Sequence, residues 1–352
     1  MKGPLTIALG LALATWAGAR LVDGGADGPA ATDHLRPLVE PERRAELEVA
    51  AVGLEGLGLP EEIIYLREDE TWSSPTVYGA VALTPEVSSL IDRVTRAWAQ
   101  EVAPPERAAA YGLDPEAPLR LRLFGPGFAD LPGRDLLLEL ELGTPLPGLG
   151  EGRCFARLGG AGPVLELDQN PHILLEPGAG GRLPPMLDER LLAGEWPSRG
   201  QGISRAFVDY PDGRSLDVQS RAAGPPPEPG APSPREWLAV EGDTRARCLP
   251  FRIAAWQSFM YKLAYRGLSD PAAAARRGLD APQATLTLIQ VAGDPIELVV
   301  GRSAPSGATF VLNKKTNLLC LLDRKEVELL LATVEMLCAP DRTNPWEEWL
   351  PK

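Results

Sequence analysis

Two aspartates in nearly identical settings, Asp114 and Asp280, are the residues whose repetition first suggests chemistry. Asp114 lies in Tyr111-Gly112-Leu113-Asp114-Pro115, and Asp280 in Arg277-Gly278-Leu279-Asp280-Ala281-Pro282. A pair of carboxylates facing one another across a pseudo-twofold could serve as general acid and general base. The same residues have a structural use that explains more of the motif. Gly112 and Gly278 supply a left-handed C-terminal position, Leu113 and Leu279 close back on a preceding helix, and aspartate with proline sets the turn. The structural use is favoured, and no catalytic residue is assigned.

Other catalytic chemistry finds little support. The chain has only His34 and His172, which argues against a histidine metal cluster, and neither a metal nor a cofactor is expected. A Ser-His-Asp triad would need His172, which follows Asn170-Pro171 in a loop, and no G-x-S-x-G elbow occurs to place its serine. There is no phosphate-binding G-x-x-x-x-G-K-[ST]. The four cysteines Cys154, Cys248, Cys320 and Cys338 have neither metal nor redox spacing. Exported, they could form up to two disulfides with three connectivities; buried free thiols are favoured. Trp72, Trp237 and Trp256 could stack on a sugar, although core packing is the simpler use. Trp346 and Trp349 in the acidic C-terminal tail could form a docking peptide, or pack back because two exposed tryptophans are costly in water.

The elements that must position these residues are repeated with them. Leu119, Leu121 and Leu123 alternate after the first turn, as Ala284, Leu286 and Leu288 do after the second. Leu138-Glu139-Leu140-Glu141-Leu142-Gly143 then corresponds to Ile296-Glu297-Leu298-Val299-Val300-Gly301, with Glu139 and Glu297 outward. Cys154-Phe155-Ala156-Arg157-Leu158 corresponds to Thr309-Phe310-Val311-Leu312-Asn313, and 164–168 to 319–323. The order is kept throughout, at a spacing of about 165 residues at the turns that narrows to about 155 at the last strands, the mark of internal duplication. Upstream, Pro85 precedes Val87, Leu90, Ile91, Val94 and Trp98, and Pro250 precedes Ile253, Trp256, Phe259, Met260 and Leu263, both at helical spacing. Further strands are predicted at 47–52, 63–67, 203–210 and 215–221. Val327, Leu330, Leu331, Val334 and Cys338 share one helical face.

Glycines at strand ends, among them Gly125, Gly143 and Gly301, suggest positive-φ connections. Antiparallel pairing follows, because parallel strands would need helical crossovers. The expected class is α+β: a tandem duplication of a module with antiparallel β-meander strands and one packed helix per copy. The copies are drawn at 40–194 and 195–340, with a proline-rich loop at 222–234 inside the second and a tail at 341–352.

The N-terminal stretch 3–19 is uncharged over 17 residues. That is near the lower limit for a spanning helix. Residues 1–22 are expected to be an uncleaved signal anchor at the inner membrane, or a signal peptide cut near Ala19, followed by a tether over 23–39. Either leaves the bulk of the chain extracytoplasmic. The net charge of -13 would repel phosphate backbones, so nucleic acid is not an expected partner.

The repeated G-L-D-x-P turn before an alternating strand, the strand carrying the later glycine, the F-A-R-L or F-V-L strand after it and the N-terminal apolar stretch together resemble the uncharacterised bacterial family numbered 4340 among the domains of unknown function. The resemblance covers about residues 40 to 335. It implies a membrane-anchored extracytoplasmic protein, encoded beside ABC-type transport components related to gliding-motility systems, and it implies no catalytic residues. The short anchor and the proline-rich loop depart from that pattern. The expected function is a non-enzymatic accessory protein that scaffolds a transport or envelope assembly. The alternative is a module binding a small ligand or polysaccharide in a cleft between the copies.

Overall fold

The computed structural model describes residues 35–347 apart from 59–60, 114–115, 117, 129–134, 147–151, 179–182, 194–201, 225–234, 292 and 341–342. The anchor or signal peptide at 1–22, most of the tether, His34, Asp114, Trp349 and most of the proline-rich loop thus lie outside the described residues.

The architecture is α+β, with two antiparallel sheets and a few helices. The first sheet comprises β1 (Arg36–Pro37), β2 (Ala51–Glu55), β3 (Ile63–Glu68), β4 (Thr71–Ser74), β5 (Ala80–Ala82), β6 (Trp98–Ala103), β7 (Leu119–Phe124), β8 (Leu136–Leu146), β9 (Arg153–Leu158) and β10 (Val164–Leu167). The second comprises β11 (Ile203–Asp209), β12 (Ser215–Ala222), β13 (Arg235–Glu241), β14 (Thr244–Arg247), β15 (Gly267–Ser269), β16 (Ala284–Gln290), β17 (Ile296–Ser303), β18 (Thr309–Asn313) and β19 (Leu318–Leu322). The first runs β1-β6-β10-β9-β8-β7-β2-β3-β4-β5, and the second, read from its far edge, β15-β19-β18-β17-β16-β11-β12-β13-β14. Without the two-residue β1, the strands fall in the same spatial and chain order in both sheets.

In each sheet the helix joins opposite edges. Helix α2 (Thr84–Arg96) leads from β5 to β6, and α3 (Pro250–Lys262) from β14 to β15. A proline in the first turn pre-sets each helical start. Val87, Leu90 and Val94 of α2 are fully buried, at the i, i+3 and i+7 positions of one face. The chain from Ala82 to Trp98 can span at most about 32 Å, counting helical rise and extended ends. Nine strands laid flat would put β5 and β6 about 38 Å apart. The first sheet therefore curls around its helix.

The inward side chains of both sheets and both helices form one continuous core, from Leu121 and Leu140 in the first sheet to Leu286, Leu298 and Trp256 in the second. A buried strap at 183–193 joins them. Leu83 N–H donates to Met186 O and Asp188 N–H to Val81 O on one side; Leu191 N–H donates to Leu263 O and Tyr265 N–H to Glu189 O on the other, all within 2.8–2.9 Å. Tyr65 and Tyr265 donate their buried hydroxyls to Pro185 O and Asp188 O. The hydroxyl bonds satisfy carbonyls that neither sheet reaches.

Several elements differ from the sequence reading. The helix carrying Val87 to Val94 does not include Trp98: Ala97 is extended, and Trp98 N–H donates to Asp168 Oδ1 at 2.7 Å, which diverts the backbone into β6. Strands β4, β5, β6, β13, β14 and β15 had no clear periodic signal. The face from Val327 to Cys338 is broken into α4 (Arg324–Leu330) and α5 (Val334–Cys338), with Ala332 at φ 38 and Thr333 capping the second helix through a bond from Met336 N–H. A further helix of five residues, α1 (Pro41–Ala45), precedes β2. β12 and β13 pair as far as Ala222 with Arg235, so the two ends of the proline-rich stretch belong to neighbouring strands of the second sheet.

Candidate functional site

The repeated turn has the same construction in both sheets. Gly112 (φ 74) and Gly278 (φ 77) are left-handed. Gly112 N–H donates to Ala109 O and Leu113 N–H to Ala108 O; Gly278 N–H donates to Ala275 O and Leu279 N–H to Ala274 O. These paired bonds are a Schellman closure. The elements they close are single 3₁₀ segments, Pro105–Tyr111 and Ala275–Arg277, not the long helices, since β6 and β15 intervene. Each turn lies on the sheet face opposite its long helix. Leu113 packs with Ala103, Ala108 and Val164 in a small cluster separate from the main core.

Gly143 and Gly301 receive these turns. Neither has a positive φ. A Cβ on Gly143 would stand 2.4 Å from Tyr111 O, and one on Gly301 2.6 Å from Arg277 O, so both glycines are required by close backbone approach. Gly125 likewise leaves room for the Asp135 carboxylate. Beside each turn a different contact fills the same place: Tyr111 stacks edge-on against Phe155 at 4.7 Å, and Arg277 lies over the Phe310 ring at 4.7 Å.

Asp280 is exposed and its carboxylate accepts from the adjacent Ala281 N–H at 3.1 Å, a turn-setting bond. Asp280→Ala is expected to change stability by less than about 0.5 kcal/mol. Gly278→Ala, forced into the left-handed region, is expected to cost about 1–2 kcal/mol. Urea denaturation of the two variants checks this; a larger loss from the aspartate would show that Asp280 has a role beyond the turn.

His172 has a defined structural partner. Its Nε2–H donates to Gly143 O at 2.8 Å, which places the half-buried imidazole beneath the first turn. Burial, only partly offset by this bond, lowers its pKa below the ordinary 6.5. The unfolded chain then binds a proton that the folded chain does not, so this contribution to stability is complete above about pH 6.5 and is lost as pH falls toward the folded pKa. The wild-type protein should lose more stability than His172→Gln between pH 7 and 5. Superimposable pH profiles of the two, from urea melts, would contradict this.

The candidate stacking tryptophans are not a solvent-facing row. Trp72 and Trp256 are buried and Trp237 is half-buried against the core. Between the sheets, the space lined by Gly79, Ala80, Asp188, Arg190, Thr316 and Leu318 is about 10 Å³, room for no more than one water molecule. Among the described residues, the strap occupies this part of the junction between the sheets. Trp346 is fully buried beside Trp256, so of the tail's two expected interaction residues this one has no exposed ring.

No family model, curated protein or solved structure matches this chain. The resemblance noted above therefore rests on the residues quoted for it.

Exposed aromatic surface lies elsewhere. Trp98 is 44% exposed at the start of β6, next to Leu35 at 60%. With Gln100, Arg153, Glu166 and Asp168 they line a groove of about 280 Å³ at the β1 edge of the first sheet. Arg153 is paired with Glu166 at 2.8 Å, and Asp168 holds the Trp98 backbone. A flat ring beside fixed acceptors and a guanidinium can stack and hydrogen-bond a polar ligand or a protein side chain. Sequence reasoning missed this place because Trp98 fitted the helical period and β6 has no regular alternation: Ala99 faces the main core, while Ala103, past a bulge, belongs to the separate cluster. A second groove of about 380 Å³ runs between α2 and the β3–β4 hairpin, lined by Leu47, Arg67, Glu70, Ser88, Ile91 and Asp92 among others. Among the described residues there is no group of three or more metal-ligating side chains, and no helix is long and apolar enough to cross a membrane.

Proposed function

We propose that this chain is a non-enzymatic accessory protein, held at the extracytoplasmic face of the inner membrane by its N-terminal stretch and scaffolding an ABC-type transport or other envelope assembly. The observation that carries the reading is the joining of an uncharged 17-residue stretch at 3–19 to a folded part in which the exposed Leu35, within the expected tether, lies beside the exposed Trp98. Tethering raises the effective concentration of that surface near a membrane partner. The resemblance to the domain-of-unknown-function family supports the same placement. We take the folded part as a tandem duplication of one module. The coincident strand orders, the edge-to-edge helices and the matched Gly112 and Gly278 turns support it.

The second reading is an extracytoplasmic module for a small ligand or polysaccharide. The Trp98 groove favours it, in place of a cleft between the copies.

The test is purification of the full-length chain from native membranes in mild detergent, beside a form lacking residues 1–34 and a Trp98→Ala variant, with mass spectrometry of what co-purifies. A stoichiometric permease or ATPase lost with residues 1–34, and depleted by Trp98→Ala, is the expected result. A chain that comes away alone, soluble and cut near Ala19, overturns the accessory reading. Protection of the Trp98 fluorescence by an oligosaccharide would then favour the second.

A further inference from the structure

Of the four cysteines, Cys154 and Cys320 are isolated in the cores of different sheets. Each thiol donates to a backbone carbonyl, Gln169 O and Val311 O, and burial pushes the Cys154 thiol up to about 12. Cys248 and Cys338 are different. Separated by 90 residues, their sulfurs stand 3.3 Å apart. Their neighbours are joined by backbone: Leu249 N–H donates to Leu337 O at 3.1 Å, and Cys248 N–H to Trp237 O at 2.8 Å. The two sulfurs thus meet beside a fixed backbone contact, and closing to the bond length of about 2.05 Å needs only a movement of about 1.2 Å.

We infer that Cys248 and Cys338 are a disulfide-forming pair, closed by exchange with a low-molecular-weight disulfide of the oxidised-glutathione type, that fastens the C-terminal segment to the second sheet. Cys338 is partly exposed and Cys248 buried, so Cys338 is the sulfur an incoming disulfide can reach. The hydrogen bond between the two sulfurs and the nearby Arg252 charge hold Cys338 below its ordinary pKa against the opposing effect of burial. Arg252 is itself fixed, donating to Met336 O at 2.7 Å near the end of α5.

The Cys338 thiolate attacks one sulfur of the small disulfide, forming a mixed disulfide and releasing one thiolate. Cys248 then loses its proton and attacks Cys338 Sγ, breaking the mixed disulfide and releasing the second thiolate. Two electrons pass from the cysteine pair to the small disulfide, and the two cysteine protons end on the two released thiols. The bond closes a loop that contains β15 to β19 and α3, and it anchors α5 immediately before the Trp346 segment. The pairing rests on the fold alone; its formation in the cell rests on the extracytoplasmic placement proposed above, since such bonds persist in oxidising compartments.

The test uses the full chain. One sample is alkylated during lysis of native membranes; another is reduced with dithiothreitol in detergent and then treated with oxidised glutathione. Both are mapped by peptide mass spectrometry without reduction. A linked Cys248–Cys338 peptide, two hydrogens lighter than its reduced parts, in both samples supports the pair and its placement. The linked peptide only after oxidised glutathione supports the pair and overturns the extracytoplasmic placement. Both cysteines alkylated in both samples, or either joined to Cys154 or Cys320, overturns the inference. Oxidation should also raise the melting temperature of the wild type, with no such shift in Cys338→Ser, whose side chain is tolerated because the site is partly exposed.

Discussion

Trp346→Ala is expected to destabilise the fold by about 3–5 kcal/mol, the range for emptying a buried tryptophan site. The ring is fully buried, 6.5 Å between centroids from Trp256 in α3. The two indoles do a second job together. Trp256 Nε1–H donates to Leu330 O at 3.2 Å and Trp346 Nε1–H to Leu329 O at 3.3 Å, satisfying consecutive carbonyls in the last turn of α4. Those carbonyls have no partner further along the helix, because α4 stops at Leu330. Alanine at 346 removes the ring and strands the Leu329 carbonyl in an apolar site. Trp346→Phe keeps most of the ring and loses only the bond, so it should cost about 1–3 kcal/mol. Equilibrium urea melts of the three proteins check the order. Wild-type stability in Trp346→Ala would mean that the tail is undocked in solution and Trp346 free for a partner.

Glu141→Ala is the second large effect, expected at about 3 kcal/mol, the lower end for breaking a buried ion pair by removing one member. Glu141 is 3% exposed on β8, between Arg157 on β9 and Arg120 on β7. It accepts from Arg157 Nε at 2.8 Å and from Arg120 Nε at 3.3 Å. One rung along, Arg122 pairs with Glu139 and Glu62 at 2.9 Å and with Glu55 at 3.1 Å. The face of the first sheet away from α2 is therefore a lattice in which three arginines meet four glutamates. Arg157, 11% exposed, has Glu141 as its carboxylate partner; without it the guanidinium is left desolvated. Glu141→Leu combined with Arg157→Leu should recover most of the loss, because the apolar pair leaves no uncompensated charge. A double-mutant cycle in urea measures the coupling. A change below about 0.5 kcal/mol for Glu141→Ala would show that the lattice is solvated and weak, as exposed ion pairs are.

The sequence made strands with a strong period legible. Leu119 to Leu123 and Ala284 to Leu288 alternate because each strand has one face on an apolar core, and the same holds for Leu138 to Leu142 of β8 and Ile296 to Leu298 of β17. The left-handed glycines of the two turns were also legible, since few other residues reach that backbone region at low cost. Short edge strands were not. β5 has three residues and β15 three, too few for a period, and their pairing is decided by partners far along the chain. Trp98 was assigned to the wrong element for the same reason, since a bond from its N–H to Asp168, 70 residues away, overrides the local helical pattern.

What the residues determined by themselves is local: the alternation of β7, β8 and β16 and the apolar runs of the strands that follow them, the proline-led helices, the glycine closures, and the uncharged N-terminal stretch. Each depends on side chains within a few positions of one another. Tertiary structure alone decided that the strap at 183–193 occupies the space between the sheets, that Gly143 and Gly301 are glycines because a turn's carbonyl crosses them, that Trp346 is a core residue while Trp98 is exposed, and that Cys248 meets Cys338. These are contacts between segments far apart in the chain, and their energy comes from burial and close approach, which exist only once both sheets have formed.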